Sequence, residues 1–550
     1  MSLTKVSYSM INGATANVLD YGVSTSASAV ENNTAFQAAL DSGFDLFIPK
    51  GNYSVAGLFT VTTAGQTIRG EGVNSILTAT VPTNNLFTLQ AANISISDMR
   101  LNGCETAAAI TTASFAIFTD AAIPAINAKI ERVMVSGANS ALGFNHAFKF
   151  DTGCNYNLVN DCWIERLQGQ TNGGYGVLAG QCTGILVTHS KFFGTPNRGR
   201  HAVYFSAGCI GCIASENFIT GFNYEAMTLN VYGYSGQNAS TDCEYVNNVI
   251  VNCGVAFGSA TSGGISSFGS SIGLKLIGNT ITNCNCSGIH LEGIVTLNVA
   301  WVTGTAYIRG STVSNGGVNY VCVIPHTSGT FATDVTSRYW INDCAENVIS
   351  GNVISGNNYF GININSYSYG SITGNIVQNN GTAGTYTGVR LLSNGTFPAD
   401  RWTISGNSLI GNTNYGVELN ATAPVPTGTV ISGNGISANT AGSIKTNNIA
   451  AVIDGSSSWA TFADGATTPS VAFGNKFVCT NSGATVITNF TNGTDGQEIT
   501  LRFSDANTTI TQANAALAGG VNFVSSASDM LTLVYRASGT IWFEKCRSIN

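Results

Sequence analysis

The sequence predicts an all-β chain wound into stacked coils, a parallel β-helix, and three observations carry the prediction. A short phrase recurs as Glu216-Asn217-Phe218-Ile219, Asn247-Asn248-Val249-Ile250 and Gly278-Asn279-Thr280-Ile281, then as Gly351-Asn352-Val353-Ile354, Gly374-Asn375-Ile376-Val377, Gly406-Asn407-Ser408-Leu409 and Gly433-Asn434-Gly435-Ile436. Its spacing is roughly 23–32 residues, apart from one gap of about 73 between Asn279 and Asn352, which is the period of a repeat architecture. Each phrase leads into a polar turn and a second short apolar run, such as Gly288-Ile289-His290-Leu291 or Gly361-Ile362-Asn363-Ile364. The composition agrees: Gly 64 against Pro 9 marks many turns, and 44% hydrophobic with only 9% charged residues gives ample core and excludes disorder.

One coil of this length cannot bury its apolar face, whereas stacked coils can, and like residues then form ladders. Asn at each turn is expected to bond the turn above and below. Cys154, Cys182 and Cys209, and again Cys253 and Cys284, recur at a similar period and are expected to fill the interior as small apolar residues. The solenoid is predicted over residues 51–454. A propeller is the rival, but its blades need about 40–45 residues.

Lys+Arg 22 against Asp+Glu 29, a net charge of −7, offers no basic excess, so nucleic acid is not an expected partner. No stretch approaches the ~18 consecutive apolar residues of a membrane-spanning helix. The 14 cysteines are scattered rather than set out as a disulfide framework, and the single CxxC, Cys209 to Cys212, has no second pair to complete a zinc site. No metal and no cofactor are expected. Met1-Ser2-Leu3-Thr4-Lys5-Val6 opens without an apolar h-region, so no signal peptide is expected and the thiols are expected to stay reduced.

Taken in order, residues 1–50 form an N-terminal segment with a capping helix. Asn17-Val18-Leu19-Asp20-Tyr21-Gly22, Thr34-Ala35-Phe36-Gln37-Ala38-Ala39-Leu40 and Ile48-Pro49-Lys50-Gly51-Asn52-Tyr53 resemble the opening of pectate-lyase-superfamily right-handed β-helices. The acidic stretch usual before that helix is replaced by residues 24–33. The long gap holds an insert at 298–342, with Trp301, Gly304-Thr305-Ala306-Tyr307, Tyr320-Val321-Cys322, His326 to Ala332 and Tyr339-Trp340. It resembles the small chitin-binding-like modules of tail fibres and chitinases. That resemblance implies that Trp301, Tyr320 and Trp340 stack on sugars, while the plainer expectation is that they form the module's core.

After Asn448 the repeat stops, and Asp454-Gly455-Ser456-Ser457-Ser458 has the composition of a linker. Alternating runs at Glu498–Phe503, Leu531–Tyr535 and Thr540–Glu544, with turns at Asn492-Gly493 and Asp495-Gly496, predict a β-sandwich over 455–550. The stretch from Thr468-Pro469-Ser470-Val471 to Arg547-Ser548-Ile549-Asn550 resembles the terminal domain of phage tailspikes. Together these segments resemble phage tailspike depolymerases. The resemblance implies a homotrimer in the virion tail that binds and cuts host-surface polysaccharide; about a dozen residues precede the capping segment, so either another virion protein is expected to supply the anchor or the sequence is a truncated piece. A binding-only adhesin and a bacterial pectate-lyase-like polysaccharide lyase are the alternatives.

Aligning the second apolar run of successive coils stacks His146 to Asp151, Tyr175 to Gly180, His201 to Ser206, Glu225 to Asn230, Gly263 to Phe268 and Ser287 to Glu292. Strict alternation puts Val203 and Phe205 inside and exposes Lys149, Asp151, Tyr204, Thr228, His290 and Glu292, with His201 and Glu225 at the rim. Three of the 5 histidines, at 146, 201 and 290, lie on this strand, and Arg198 and Arg200 precede it. A lyase needs a base for the proton beside a uronate carboxylate and a cation for the developing charge; His201 or Tyr204 with Arg198 or Arg200, and Glu225 nearby, fit. Lys149, Asp151, Thr228, His290 and Glu292 are expected to bind substrate. A hydrolase needs two carboxyls about 5–5.5 or 6.5–9.5 Å apart and would have to draw one from a loop, such as Asp242 or Glu244, or from a neighbouring subunit.

Overall fold

The computed structural model describes residues 15–550 except 83, 106–113, 169–173, 196–197, 207, 231–237, 257, 294–298, 343, 345, 394–398, 422–426, 447–449, 455–458, 472–474 and 494. The expected linker at 455–458, the first residue of the expected insert and the 196–197 tip of the arginine loop therefore lie outside the described residues. Two units make up the chain, Met1–Cys286 with Thr296–Ile341, and Ser287–Val295 with Asn342–Asn550.

The first unit begins with the capping helix Ala29–Asp41, five residues before the run expected to carry it. Ser28 and Glu31 form a capping box, each accepting a hydrogen bond from the other's backbone N–H. Phe36 on its inner face is fully buried, its ring 4.7 Å from Phe59 and 6.2 Å from Phe87 of the first coils. The coils then stack in parallel. One strand of each, from Phe59–Val61 through His146–Phe150, Tyr175–Ala179, His201–Ser206 and Met227–Asn230 to Gly263–Phe268, pairs with the next in one sheet. Val177, Val203, Met227 and Ile265 are in register and buried. Two further short strands per coil, such as Ile213–Ser215 and Phe218–Thr220, form the second sheet.

The recurring phrase marks the corner between those two strands. His189, Glu216, Asn247 and Gly278 adopt φ of 51, 57, 54 and 66° there, a left-handed corner in each coil. The next residue is the ladder. Asn217 donates its backbone N–H and its side-chain amide to Asn248 Oδ1 at 3.1 and 3.0 Å, and Asn248 does the same to Asn279 at 3.0 and 2.9 Å. In the second unit Asn352, Asn375, Asn407 and Asn434 repeat this at about the same distances, each after a glycine at φ 59–66°. A second ladder, Asn357–Asn380–Asn412–Asn439, runs five residues further on. The described cysteines are free thiols, buried except Cys104 and Cys546, and Cys209 and Cys212 pack inside with the rest.

A row of small residues sets which side chains face outward. Ala147, Gly176, Ala202 and Ala226 in the first unit, and Gly288, Gly361, Gly388 and Gly416 in the second, each precede a large apolar residue. A Cβ on Gly176 would lie 2.5 Å from Ala202 O and 2.7 Å from the Phe192 ring, and one on Gly416 2.3 Å from Ile436. The small residue and its large neighbour both face the core, so the residues on either side of the pair share the outer face. Phe115 with Phe118, 5.5 Å apart, and His201 with Tyr204, 5.3 Å apart, are such couples.

Within Thr296–Ile341, the pair Ala306–Tyr307 and His326–Thr327 is antiparallel, and Thr312–Asn315 pairs with Val318–Cys322. The module is tied to the solenoid of its own unit: Ala239 N–H donates to Gly310 O at 2.7 Å, and Arg309 pairs with Asp242 at 3.2 Å. In the tail of the second unit, Lys476–Cys479 and Glu498–Phe503, and Thr485–Ile487 and Thr508–Ile510, pair in parallel. Glu498–Phe503, Met530–Arg536 and Ile541–Ser548 are antiparallel. Phe477, Ile487, Leu501, Ile510, Phe523 and Trp542 form its core. Asn492-Gly493 therefore does not close a hairpin; the chain there crosses between strands of different sheets.

Candidate functional site

Two rows of side chains run up the outer face in the first unit. The first is Phe115, His146, Tyr175 and His201, whose rings stack at 4.6, 5.2 and 5.5 Å with interplanar angles of 16, 17 and 25°, and Glu225 is in register above His201. The second is Phe118, Lys149, Leu178, Tyr204 and Thr228. The bulge made by the small inward residues brings both rows together.

His201 and Glu225 meet where the rows end. His201 Nδ1 lies 2.8 Å from Glu225 O, 3.4 Å from Glu225 Oε2 and 3.3 Å from Thr228 Oγ1. The carbonyl can only accept, so Nδ1 carries the proton and Nε2 presents a lone pair. Nε2 is buried with no hydrogen-bond partner among the described residues. Burial, then the charge of Arg200, pull the His201 pKa down to about 3. Burial pushes Glu225 up to about 7, against its own backbone N–H and Arg200, so its carboxyl is about half protonated at neutral pH. Arg200 donates to Tyr175 Oη at 3.1 Å and lies over the Tyr224 ring at 5.0 Å. Arg200 Nε, Asn223 Oδ1 and Thr195 Oγ1 are also buried without partners among the described residues. Backbone bonds from Asn223 N to Gly199 O and from Tyr224 N to Arg200 O join these segments at one corner.

The structure thus brings His201, Tyr204, Glu225, Thr228 and Arg200 together and separates the rest. Arg198 turns away, donating to Gln168 O at 3.2 Å. Lys149 and Asp151 pair with each other at 2.8 Å, and Lys149 lies over Phe118. Tyr204, Thr228 and His290, expected in solvent, are buried, and so are His201 and Glu225, expected at the rim; the strand pattern fixes direction, whereas burial of an outward face depends on what packs over it. Trp340 is 1% exposed in the insert's core, with Trp301 and Tyr320 packed around it, so Trp340 is no stacking platform. Tyr175 and Tyr224 are partners that sequence reasoning missed, although Tyr175 stands in the aligned column.

Asp151 lies three coils from Glu225, about 14 Å along the axis, too far for a hydrolase pair. The loop acids Asp242 and Glu244 are ion-paired with Arg309 and Lys275. Among the described residues no group of three or more His, Cys, Asp or Glu is placed to hold a metal, and no helix is long and apolar enough to cross a membrane.

In the second unit the same outer rows carry His290, Asn363, Arg390, Glu418 and Lys445 in register. His290 Nε2 donates to Glu292 at 3.2 Å, and the Asn363 amide donates to His290 Nδ1 at 3.0 Å. Asn363 thereby links His290 to Arg390.

Residues 292–458 match a family model described as right handed beta helix region, and the chain is an all-β, right-handed parallel β-helix. No curated protein matches the sequence. Among solved structures, the A-module of the Azotobacter vinelandii mannuronan C-5 epimerase AlgE4 has a TM-score of 0.48 and 13% identity, over 80% of this chain and 98% of that one. The Dettilon tailspike protein has a TM-score of 0.48 and 15% identity, over 78% of this chain and 68% of that one. The Yersinia enterocolitica family 28 exopolygalacturonase has 0.42 and 12%, over 80% and 78%. At these values the likenesses carry no argument about activity.

Proposed function

We propose that the protein is a phage tailspike depolymerase whose outer sheet face binds host-surface polysaccharide and cleaves it by β-elimination. One observation carries the reading: a neutral imidazole whose Nε2 lone pair has no partner among the described residues stands beside a carboxyl raised to about 7 and an arginine on one face. In this mechanism Arg200 neutralises a uronate carboxylate, which makes the adjacent C–H more acidic. His201 Nε2 takes that proton, the C4–O bond breaks, and its electron pair leaves on oxygen, which receives the Glu225 proton. The incoming carboxylate also favours the imidazolium and so restores basicity that burial removes. The segments resembling tailspikes support the virion assignment, and the exposed apolar pair Phe218 and Val249 on adjacent coils supports an association surface for a homotrimer.

The 1% exposure of His201 favours a second reading, a binding-only adhesin with a structural histidine ladder. Incubation with purified acidic surface polysaccharide separates the two. Ultraviolet absorbance of an unsaturated uronate is expected, with His201→Ala, Tyr204→Phe and Glu225→Gln lowering turnover by about 10²–10⁴-fold. New reducing ends without that absorbance would indicate hydrolysis, and neither signal would support the adhesin.

A further inference from the structure

The cation of Arg390 is held on the outer face of the second unit without a matched anion. Its Nε donates to Asn363 Oδ1 at 3.0 Å, and the guanidinium lies 4.0 Å over the Phe360 ring. Asn363 cannot turn its amide round, because its Nδ2 is engaged by His290 Nδ1, itself fixed through Glu292. The fork of Arg390 is therefore set in orientation. Among the described residues its two terminal nitrogens make no hydrogen bond and no ion pair. The carboxylate on the next coil, Glu418, is taken on both oxygens, by Lys445 Nζ at 2.8 Å and Thr387 Oγ1 at 2.9 Å. Phe360 and Tyr386 meet edge to face at 4.9 Å, and Tyr359 closes on Tyr386 at the same distance, forming an aromatic wall beside the fork. Burial pulls the Arg390 pKa below its ordinary value, and the charge of Glu418 on the next coil offsets this only in part.

We propose that Arg390, oriented by Asn363 and walled by Phe360 and Tyr386, is an oxyanion subsite that takes a carboxylate or sulfate carried on a sugar ring. A planar fork with two free N–H edges matches two oxygens of such a group, and the half-buried Tyr359 and Tyr386 rings, rather than Phe360, which Arg390 covers, take the C–H side of the sugar. The subsite rests on the reading that this face binds glycan, but not on the chemistry at His201.

The test is calorimetric titration of the full chain in an Arg200→Gln background, which removes the cation beside His201. The probes are a uronic-acid oligosaccharide, a sulfated oligosaccharide and a neutral one of equal length. At least one anionic probe is expected to bind, and Arg390→Gln to weaken it about 10–100-fold while leaving any neutral binding unchanged. Arg390→Lys should restore only part, since it keeps the charge and loses the fork. Which anion binds identifies the source. Equal binding by wild-type and Arg390→Gln chains with the same melting temperature overturns the proposal, as does equal weakening of neutral and anionic probes or failure of both anionic probes. If Arg390→Gln melts early, the lysine variant decides: full retention of affinity overturns the fork. Absence of uronate cleavage by the wild-type protein would sink the proposed catalysis without touching this result.

Discussion

Burial shifts Glu225 and His201 in opposite directions, and each shift has its own consequence for stability. Glu225 rises from 4.5 to about 7 in the folded chain, so between those values the unfolded chain releases a proton that the fold retains. Stability is lost as pH rises through that window. His201 and His146 fall from 6.5 to about 3, so below 6.5 the unfolded chain takes up protons the fold excludes, and stability is lost as pH falls. Glu225→Gln should therefore denature like wild type at pH 4 and gain stability on the order of 3 kcal/mol by pH 8, as read by chemical denaturation. A gap that does not grow with pH would show that Glu225 is charged in the fold. The column containing these residues was legible in the sequence. Their shared direction was not, because Ala202 adds a second inward position that strict alternation ignores.

At the level of the coil, the Asn ladder and the small inward residues do different work. The ladder was legible because the left-handed corner before each Asn admits Gly, Asn or a few polar residues, which makes a visible phrase. The second ladder five residues later has a glycine before Asn357 and Asn412 but Asn379 and Ala438 before Asn380 and Asn439, so its phrase is less visible. Asn375→Ala would strand the Asn352 donors and cost about 2–4 kcal/mol in urea denaturation. Gly361→Ala places a methyl 2.2 Å from Val377 and 2.6 Å from Gly388 O, and should cost about 1–3 kcal/mol by overpacking. Neutral behaviour of that variant would mean that the inward row is not what turns Phe360 outward. The bonds that tie Arg309 and Gly310 to Asp242 and Ala239 were not legible, since no local pattern announces a docking contact.

For the molecule as a whole, repeat period and composition were enough to predict the solenoid, while the parallel strands of the tail were hidden by runs that read equally well as hairpins. Association is the open question at this scale. Trp163, Phe218 and Val249 are 37, 36 and 39% exposed in one register on the second sheet, and Trp163 stacks on Phe193 at 4.6 Å. Lys191 stands between Trp163 and Phe218 in that register, its ammonium 5.5 Å over the Trp163 ring, so Phe218 and Val249 are the adjoining apolar pair that a partner would cover. Sedimentation should give three times the chain mass, and Phe218→Asp should give a single chain with little change in melting. A wild-type monomer at micromolar concentration would end the trimer assignment.

The ladders also give the solenoid a mechanical signature. Along the ladders, neighbouring coils are clamped by the same side-chain amide bonds, repeated in one direction, in addition to their parallel backbone pairing. Tension applied along the axis is then resisted by one seam at a time. Each rupture frees one repeat of 23–32 residues, about 80–110 Å of slack at the reach of an extended chain. A single-molecule pulling trace should be a regular sawtooth, its teeth shortest where Asn352 and Asn375 are clamped.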